Sequence, residues 1–288
     1  FISFERLSLP IVPLAVSAII NELSVLVSDA DLHVAHLALT LGKTITQSKR
    51  GGLANPLRDI LLPRALALLP SSLLQGIALR SLLAFLGQLV AEQLPLLSFD
   101  ALMAKLLALP QSATLSRHSL AALSQAVAAC CAKASSAQAS AAVQNFASQL
   151  SGDGAVLALL CIGEIGRLID LSSNTTLLPT IIGGFDAPDE EKRSAASFAF
   201  GNIAAGNLSA FVPDLLAQAR TCRPVWLLIL SPHLGRKAHF PLLLWSIVIL
   251  NTVSLSLWCV PCLIVVGGLV GGVGRWPKLT GMRAPKVG

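Results

Sequence analysis

Apolar residues recur at helical spacing along residues 1–234, in runs separated by short breaks. The breaks contain proline, glycine or serine and fall about every twenty residues, for example at Pro70, Pro110 and Pro179. Proline has no backbone N–H and does not continue a helix, so each break ends one helix before the next begins. Breaks at this interval are typical of stacked helix pairs. The pattern therefore predicts an all-α fold.

The clearest repeat unit is the stretch from 183 to 208, in which Asp186, Pro188 and Asp189 predict a turn and a helix N-cap. Aligning its helix with earlier ones gives one alanine in each of five copies, at Ala35, Ala78, Ala121, Ala158 and Ala196. The residues four positions later are Leu39, Leu82, Gln125, Ile162 and Phe200, so this position is apolar in four of the five copies. The successive separations are 43, 43, 37 and 38 residues, close to the period of HEAT and armadillo repeats. We predict a right-handed α-α superhelix of the ARM/HEAT type over residues 1–234, with about five to six helix pairs.

Residues 235–288 follow a different pattern. No charged residue occurs from Phe240 to Gly274, and this run exceeds the roughly 20 apolar residues that span a bilayer. One interpretation is a transmembrane segment at 240–273. The other, favoured because the repeat pattern stops abruptly, is a tail that arises from the gene model and is not native coding sequence. The start at Phe1 likewise predicts an internal fragment of a longer protein.

The formal net charge of +6 raises the question of nucleic-acid binding. The basic residues are dispersed, as in the isolated pairs Lys49–Arg50 and Arg236–Lys237, and none of them alternates with aromatic residues. Nucleic-acid binding requires clustered positive charge, which this sequence lacks. We expect solvated helix faces and a basic tail instead.

The six cysteines are too scattered for a disulfide framework. Cys130, Cys131 and Cys161 lie in helical apolar runs, which indicates reduced, buried thiols. Cys259 and Cys262 have the spacing of a thioredoxin motif but lie in an uncharged apolar run, so chance explains them better. The glycine pairs of residues 267–272 have the GxxxG spacing, which matters only if that run crosses a membrane.

No set of residues predicts catalysis or metal binding. His33 and His36 share a helical face without a third ligand nearby, which favours solvent-edge or interface histidines over a zinc site. The charge cluster at 189–193 places acids before bases, as the helix dipole favours. Asn174 and Asn207 begin N-glycosylation sequons, but we expect both at helix boundaries. We therefore predict no catalytic, cofactor-binding or metal-binding residue, no cofactor and no small-molecule substrate. The partner-binding residues stay unknown at this stage.

Three segments resemble the cullin-associated and neddylation-dissociated (CAND) protein family: residues 28–39, 157–172 and 183–208. The motifs Gly163–Gly166, Ile169–Ser172 and Ala195–Ser197 carry the likeness, which covers roughly residues 20–220.

The resemblance implies a non-enzymatic α-solenoid that wraps the cullin and RING subunit of SCF-type ubiquitin ligases. It also implies preference for the cullin without its ubiquitin-like modifier, and a role in substrate-receptor exchange. We expect a cytoplasmic and nuclear protein, because the repeat region contains neither a signal peptide nor another apolar span. This chain is much shorter than the family's solenoid and departs from its pattern after about residue 222. Alternatives are another helical-repeat adaptor, such as a transport or phosphatase scaffold, and a membrane-anchored repeat protein.

Overall fold

A computed structural model describes residues 13–47, 54–93, 97–112 and 115–221. All of them belong to the first of the chain's two units, Phe1–Leu234, whereas the second unit, Gly235–Gly288, lies outside the described residues. The domain boundary at 234, the two interpretations of the tail and the motifs at 259–272 therefore stay predictions. Among the helices that are described, none combines the length and apolar character needed to cross a membrane.

The described ranges contain α-helices and no strand, which confirms the all-α prediction. The helices are α1 Pro13–Leu26, α2 Leu32–Gln47, α3 Ala54–Pro56, α4 Leu62–Ala67, α5 Gly76–Ala91, α6 Phe99–Ser112, α7 Arg117–Cys131, α8 Ser136–Ser148, α9 Ala155–Leu168, α10 Leu177–Gly183, α11 Glu190–Gly206 and α12 Leu208–Thr221. A π-helical segment, Leu57–Leu61, joins α3 to α4, and a 3-10 helix, Gly184–Asp186, follows α10.

The helices alternate between two layers. The second helix of each pair packs on the second helix of the next, in the order α2, α5, α7, α9 and α11. The first helices pack behind them, α1 on α2, α6 on α7, α8 on α9 and α10 on α11. This nearest-neighbour stacking is the architecture of an ARM/HEAT-type solenoid. The handedness of the superhelix stays a prediction.

Four of the five predicted alanine positions lie in the core, one in each of four second helices. Ala35, Ala78, Ala158 and Ala196 are all buried, in α2, α5, α9 and α11 respectively. A small side chain at this point lets neighbouring helices approach closely. The predicted repeat is therefore confirmed for these four copies.

The third predicted position is wrong. Ala121 and Gln125 of α7 are only half-buried, whereas Ala122, Leu123 and Ala126 are buried. Alanine and cysteine fill so much of α7 that an alanine alone does not fix which side of this helix faces the core. Gln125, the polar exception in the alignment, lies on the accessible side.

Side-chain caps fix several helix starts. Asp189 accepts a hydrogen bond from the Glu191 N–H at 3.0 Å, which confirms the predicted N-cap of α11. Ser135 and Gln138 form a capping box at α8. Asn207, the first residue of a sequon, accepts from the Ala210 N–H at the start of α12, as expected for a helix boundary.

Candidate interaction surface

The second helices leave one long side uncovered by the other described helices. Along it, α2, α5, α9 and α11 carry an exposed or half-buried residue two positions after the repeat alanine, Leu37, Arg80, Leu160 and Phe198, and α7 carries the half-buried Gln125. The residues four positions later lie on the same side of their helices; Leu41, Ala84 and Ala129 are accessible, whereas Glu164 and Asn202 are buried. We call these ten positions the open face.

Most side chains of the open face are apolar or small. Leu37 is 53% exposed, and Leu41, Leu160 and Phe198 are half-buried. Within the described ranges, no group of three or more His, Cys, Asp or Glu residues could hold a metal ion. A row of accessible apolar side chains with few charges is typical of a surface that contacts another protein.

Polar side chains join the second helices α2 and α5. His36 Nδ1 and Ser81 Oγ form a hydrogen bond of 2.7 Å near the beginning of both helices. Near their ends, Gln47 Nε2 donates to Gln88 Oε1 at 3.2 Å. Because early residues meet early and late meet late, the two helices run parallel. His33 is exposed and its ring centroid lies 6.0 Å from that of His36, in agreement with solvent-edge and interface roles.

Glycines join α9 to α11. A Cβ on Gly163 would lie 2.7 Å from the Ala199 Cα, and one on Gly166 would lie 3.2 Å from the Ile203 Cα. The two backbones therefore approach more closely than larger residues allow. The two glycines lie three residues apart in one of the motifs that carry the family resemblance. The close contact between α9 and α11 is the physical reason for glycine at both positions.

Two buried polar residues occupy equivalent open-face positions on α9 and α11. Glu164 is 4% exposed, and its Oε2 accepts from Arg167 Nε at 2.9 Å and Nη2 at 2.6 Å. Asn202 is 2% exposed, and among the described residues its Nδ2 has no hydrogen-bond partner. Sequence reasoning did not single out either of these side chains, although a polar residue in an apolar helix was a usable signal.

The charge cluster at 189–193 caps α11, as the dipole interpretation predicted. Arg193 forms an ion pair with Glu190 and donates to the carbonyl of Ala187 at 2.7 Å. Sequence reasoning missed a second contact in this region. Arg117 of α7 donates from Nη2 to Ser194 Oγ of α11 at 2.5 Å.

The described cysteines are free and buried. Burial raises the pKa of Cys131 to about 12, and it also raises the pKa of Cys130 and Cys161. A raised thiol pKa disfavours the thiolate, which is the nucleophile and the metal ligand. These residues therefore pack as small apolar side chains.

The stacked pairs and the open face define a helical-repeat protein of the ARM/HEAT class. No protein-family model matches the chain. Among solved structures, a designed armadillo repeat protein in complex with the peptide (KR)4 is similar at 16% identity, with a TM-score of 0.32 over 75% of this chain and 98% of that one.

Curated relatives are similar at higher identity. Cullin-associated NEDD8-dissociated protein 1 of Arabidopsis thaliana is 39% identical over 216 residues, 71% of this chain and 18% of the relative. The protein of the same name from Dictyostelium discoideum is 31% identical over 211 residues, 71% of this chain and 17% of the relative. Cullin-associated NEDD8-dissociated protein 2 of Mus musculus is 34% identical over 224 residues, 74% of this chain and 18% of the relative.

The chain belongs to the family of cullin-associated NEDD8-dissociated proteins. It spans less than a fifth of the length of the curated relatives it matches.

Proposed function

We propose that this chain is part of a non-enzymatic scaffold that binds a cullin through the open face. The observation that carries the proposal is the similarity to three relatives named for association with cullins, each over about 71–74% of this chain. The open face supports it chemically, because accessible apolar side chains follow one another across the five stacked second helices.

The scaffold acts on cullin-RING ligases of the SCF type. A cullin and its RING subunit together offer an elongated partner, and a solenoid matches such a partner by displaying its contact residues along a line. The buried area then adds up over many repeats and exceeds the 1,600 Å² or so of a standard interface. Overlap with the site of the substrate-receptor module makes binding competitive and so promotes receptor exchange. Preference for the cullin without NEDD8 follows if the modifier occupies part of the same surface.

The proposal includes a cytoplasmic and nuclear protein without a nucleic-acid or small-molecule partner. The accessible side chains of the open face include only one unpaired cation, Arg80, among the described residues. Phosphate binding along a nucleic acid requires several such cations on one face.

The test is co-precipitation of the full chain with an unmodified cullin and with the same cullin carrying NEDD8. We expect recovery of the unmodified form in clear excess. Equal recovery of both forms, or of neither, contradicts the proposal, and binding of neither would favour another helical-repeat adaptor such as a transport or phosphatase scaffold. Recovery of the chain in a carbonate-resistant membrane pellet would instead favour anchoring through residues 240–273.

The surface itself is tested by Leu37→Asp, with Val25→Asp as the matched control. Leu37 is 53% exposed on the open face, and Val25 is 71% exposed on the first helix α1. Both changes place a carboxylate at an accessible apolar position, so neither should unfold the chain. We expect Leu37→Asp to weaken cullin binding about tenfold, a typical loss at an interface residue, and Val25→Asp to leave it unchanged. The reverse result would place the contact on the first-helix layer.

A further inference from the structure

Arg117 links two helices that are not neighbours in the second-helix layer. Arg117 is the first residue of α7, it is exposed, and it donates to Ser194 Oγ of α11 at 2.5 Å. In the layer, α9 lies between these two helices, because α7 packs on α9 and α9 packs on α11. This hydrogen bond therefore joins the two repeats that lie on either side of the repeat of α9.

The charge of Arg117 is not balanced by a carboxylate among the described residues. The ion pairs found there join Arg58 to Asp59, Arg167 to Glu164 and Arg193 to Glu190. The group that Arg117 contacts is a neutral hydroxyl. The planar guanidinium of Arg117 carries several N–H donors, and the Ser194 hydroxyl accepts from only one of them.

Ser194 lies near a chain segment that another protein can reach. It is the fifth residue of α11 and is half-buried, and the residues from Pro188 to Glu191 just before it are exposed. Ser194 directly follows the first turn of α11, residues 190–193, and the first turn of a helix lacks part of its hydrogen-bond ladder and opens more readily than the middle.

We propose that Ser194 is a phosphorylation site and that Arg117 is the receptor of its phosphate. A serine kinase with Mg·ATP supplies the group: Ser194 Oγ forms a bond to the γ-phosphorus, the bond from that phosphorus to the β-phosphate oxygen breaks, ADP leaves, and the hydroxyl proton passes to the kinase. Phosphoserine brings a charge of about −1.5 to −2 and three strong acceptor oxygens. These oxygens suit the bidentate geometry of a guanidinium, and the phosphorus that carries them is bonded to Ser194 Oγ, the atom that Arg117 already contacts.

The acids near Ser194 oppose the new charge only weakly. Glu190 is paired with Arg193, and Glu191 is exposed, so its repulsion is screened by salt and water. The phosphate therefore strengthens the link between α7 and α11. Its consequence is a stiffer open face between Gln125 and Phe198, with Leu160 of α9 held between the two tied helices.

The test uses the full chain with phosphoserine inserted genetically at position 194, in the native background and with Arg117→Gln. We expect phosphoserine 194 to raise the melting temperature by about 2–4 °C in the native background and to leave it unchanged or lower it with Arg117→Gln. The matched control is phosphoserine at Ser140, an exposed serine that is also the fifth residue of its helix, α8. Its effect should not depend on Arg117.

An equal change with and without Arg117, or a fall in melting temperature in the native background, overturns the proposal. A second measurement addresses modification directly. When the full chain is expressed in eukaryotic cells with phosphatases inhibited, mass spectrometry should find phosphate on Ser194. Its absence there also overturns the proposal.

Discussion

Gly163 of α9 faces Ala199 of α11 so closely that a Cβ added to Gly163 would lie 2.7 Å from the Ala199 Cα. Real side chains do not tolerate such a contact with a backbone atom. The residues 163–166 thus set the distance between two adjacent repeats, and they are among the residues on which the family resemblance rests.

Gly163→Ala should therefore destabilise the chain. The added methyl group meets backbone, so α9 and α11 must move apart, and overpacking of this kind costs about 1–3 kcal/mol. Urea denaturation followed by circular dichroism measures the loss. The control is Gly183→Ala, because nothing lies within 4 Å of a Cβ at Gly183. A urea midpoint for Gly163→Ala equal to that of the control would show that α9 and α11 are not tightly packed at this contact.

The alanine positions of the second helices show what the sequence could and could not predict. The period of about forty residues and the buried alanines of α2, α5, α9 and α11 were predictable, because a small residue in an otherwise apolar helix marks the tight point of the stack. The phase of α7 was not predictable from Ala121, since alanine satisfies both the core and the surface of a helix. Ala122 and Leu123 fill the core there instead.

The open face was only partly predictable. A general expectation of an extended surface followed from the repeats, but its individual residues depend on which side of each helix meets solvent. The hydrogen bond from Arg117 to Ser194 joins residues 77 positions apart. No local pattern in the sequence reports a contact of that kind.

Removal of the Glu164 carboxylate tests the ion pair between Glu164 and Arg167 of α9. Glu164 is 4% exposed, and it receives both hydrogen bonds from Arg167, whose side chain is 44% exposed. Glu164→Ala leaves a cavity and an unpaired but partly hydrated guanidinium, so we expect a loss of about 1–2 kcal/mol, less than for a fully buried pair. The control is Asp59→Ala, which breaks a surface pair with Arg58 and should leave the urea midpoint unchanged. An equally small effect at Glu164 would mean that its pair contributes no more than a surface pair.

The buried cysteines should resist alkylation in the folded chain. Burial raises the pKa of Cys130, Cys131 and Cys161, and each of them is at most 1% exposed. With iodoacetamide at pH 8, peptide-resolved mass spectrometry should find them unmodified in native protein and modified in urea. Rapid alkylation of Cys161 without denaturant would contradict the packing of α9 against α7.

The same pKa shift predicts a loss of stability in alkali. The pKa of Cys131 rises from 9.0 to about 12 on folding, so the folded chain holds a proton that the unfolded chain releases between these values. The contribution of the Cys131 thiol to the free energy of unfolding is fully present below about pH 9 and is lost as the pH rises toward 12. Urea midpoints at pH 8 and pH 10.5 should differ, and the difference should shrink in Cys131→Ala. A difference unaffected by that substitution would assign the decline to other groups.

Phe200→Ala should give the largest loss of stability among these changes. Phe200 is fully buried in α11, and its ring meets that of Phe185 edge to face, with centroids 5.8 Å apart and planes at 72°. Truncation removes this aromatic contact and leaves a cavity between α11 and the 3-10 helix that follows α10, which costs about 3–5 kcal/mol. Since stacked repeats depend on their neighbours, the loss should also reduce the cooperativity of unfolding. Urea denaturation measures both quantities, with Val25→Ala at a 71% exposed site as the control expected to stay within about 0.5 kcal/mol of the parent. A loss below about 1 kcal/mol at Phe200 would contradict a packed ring pair at this position.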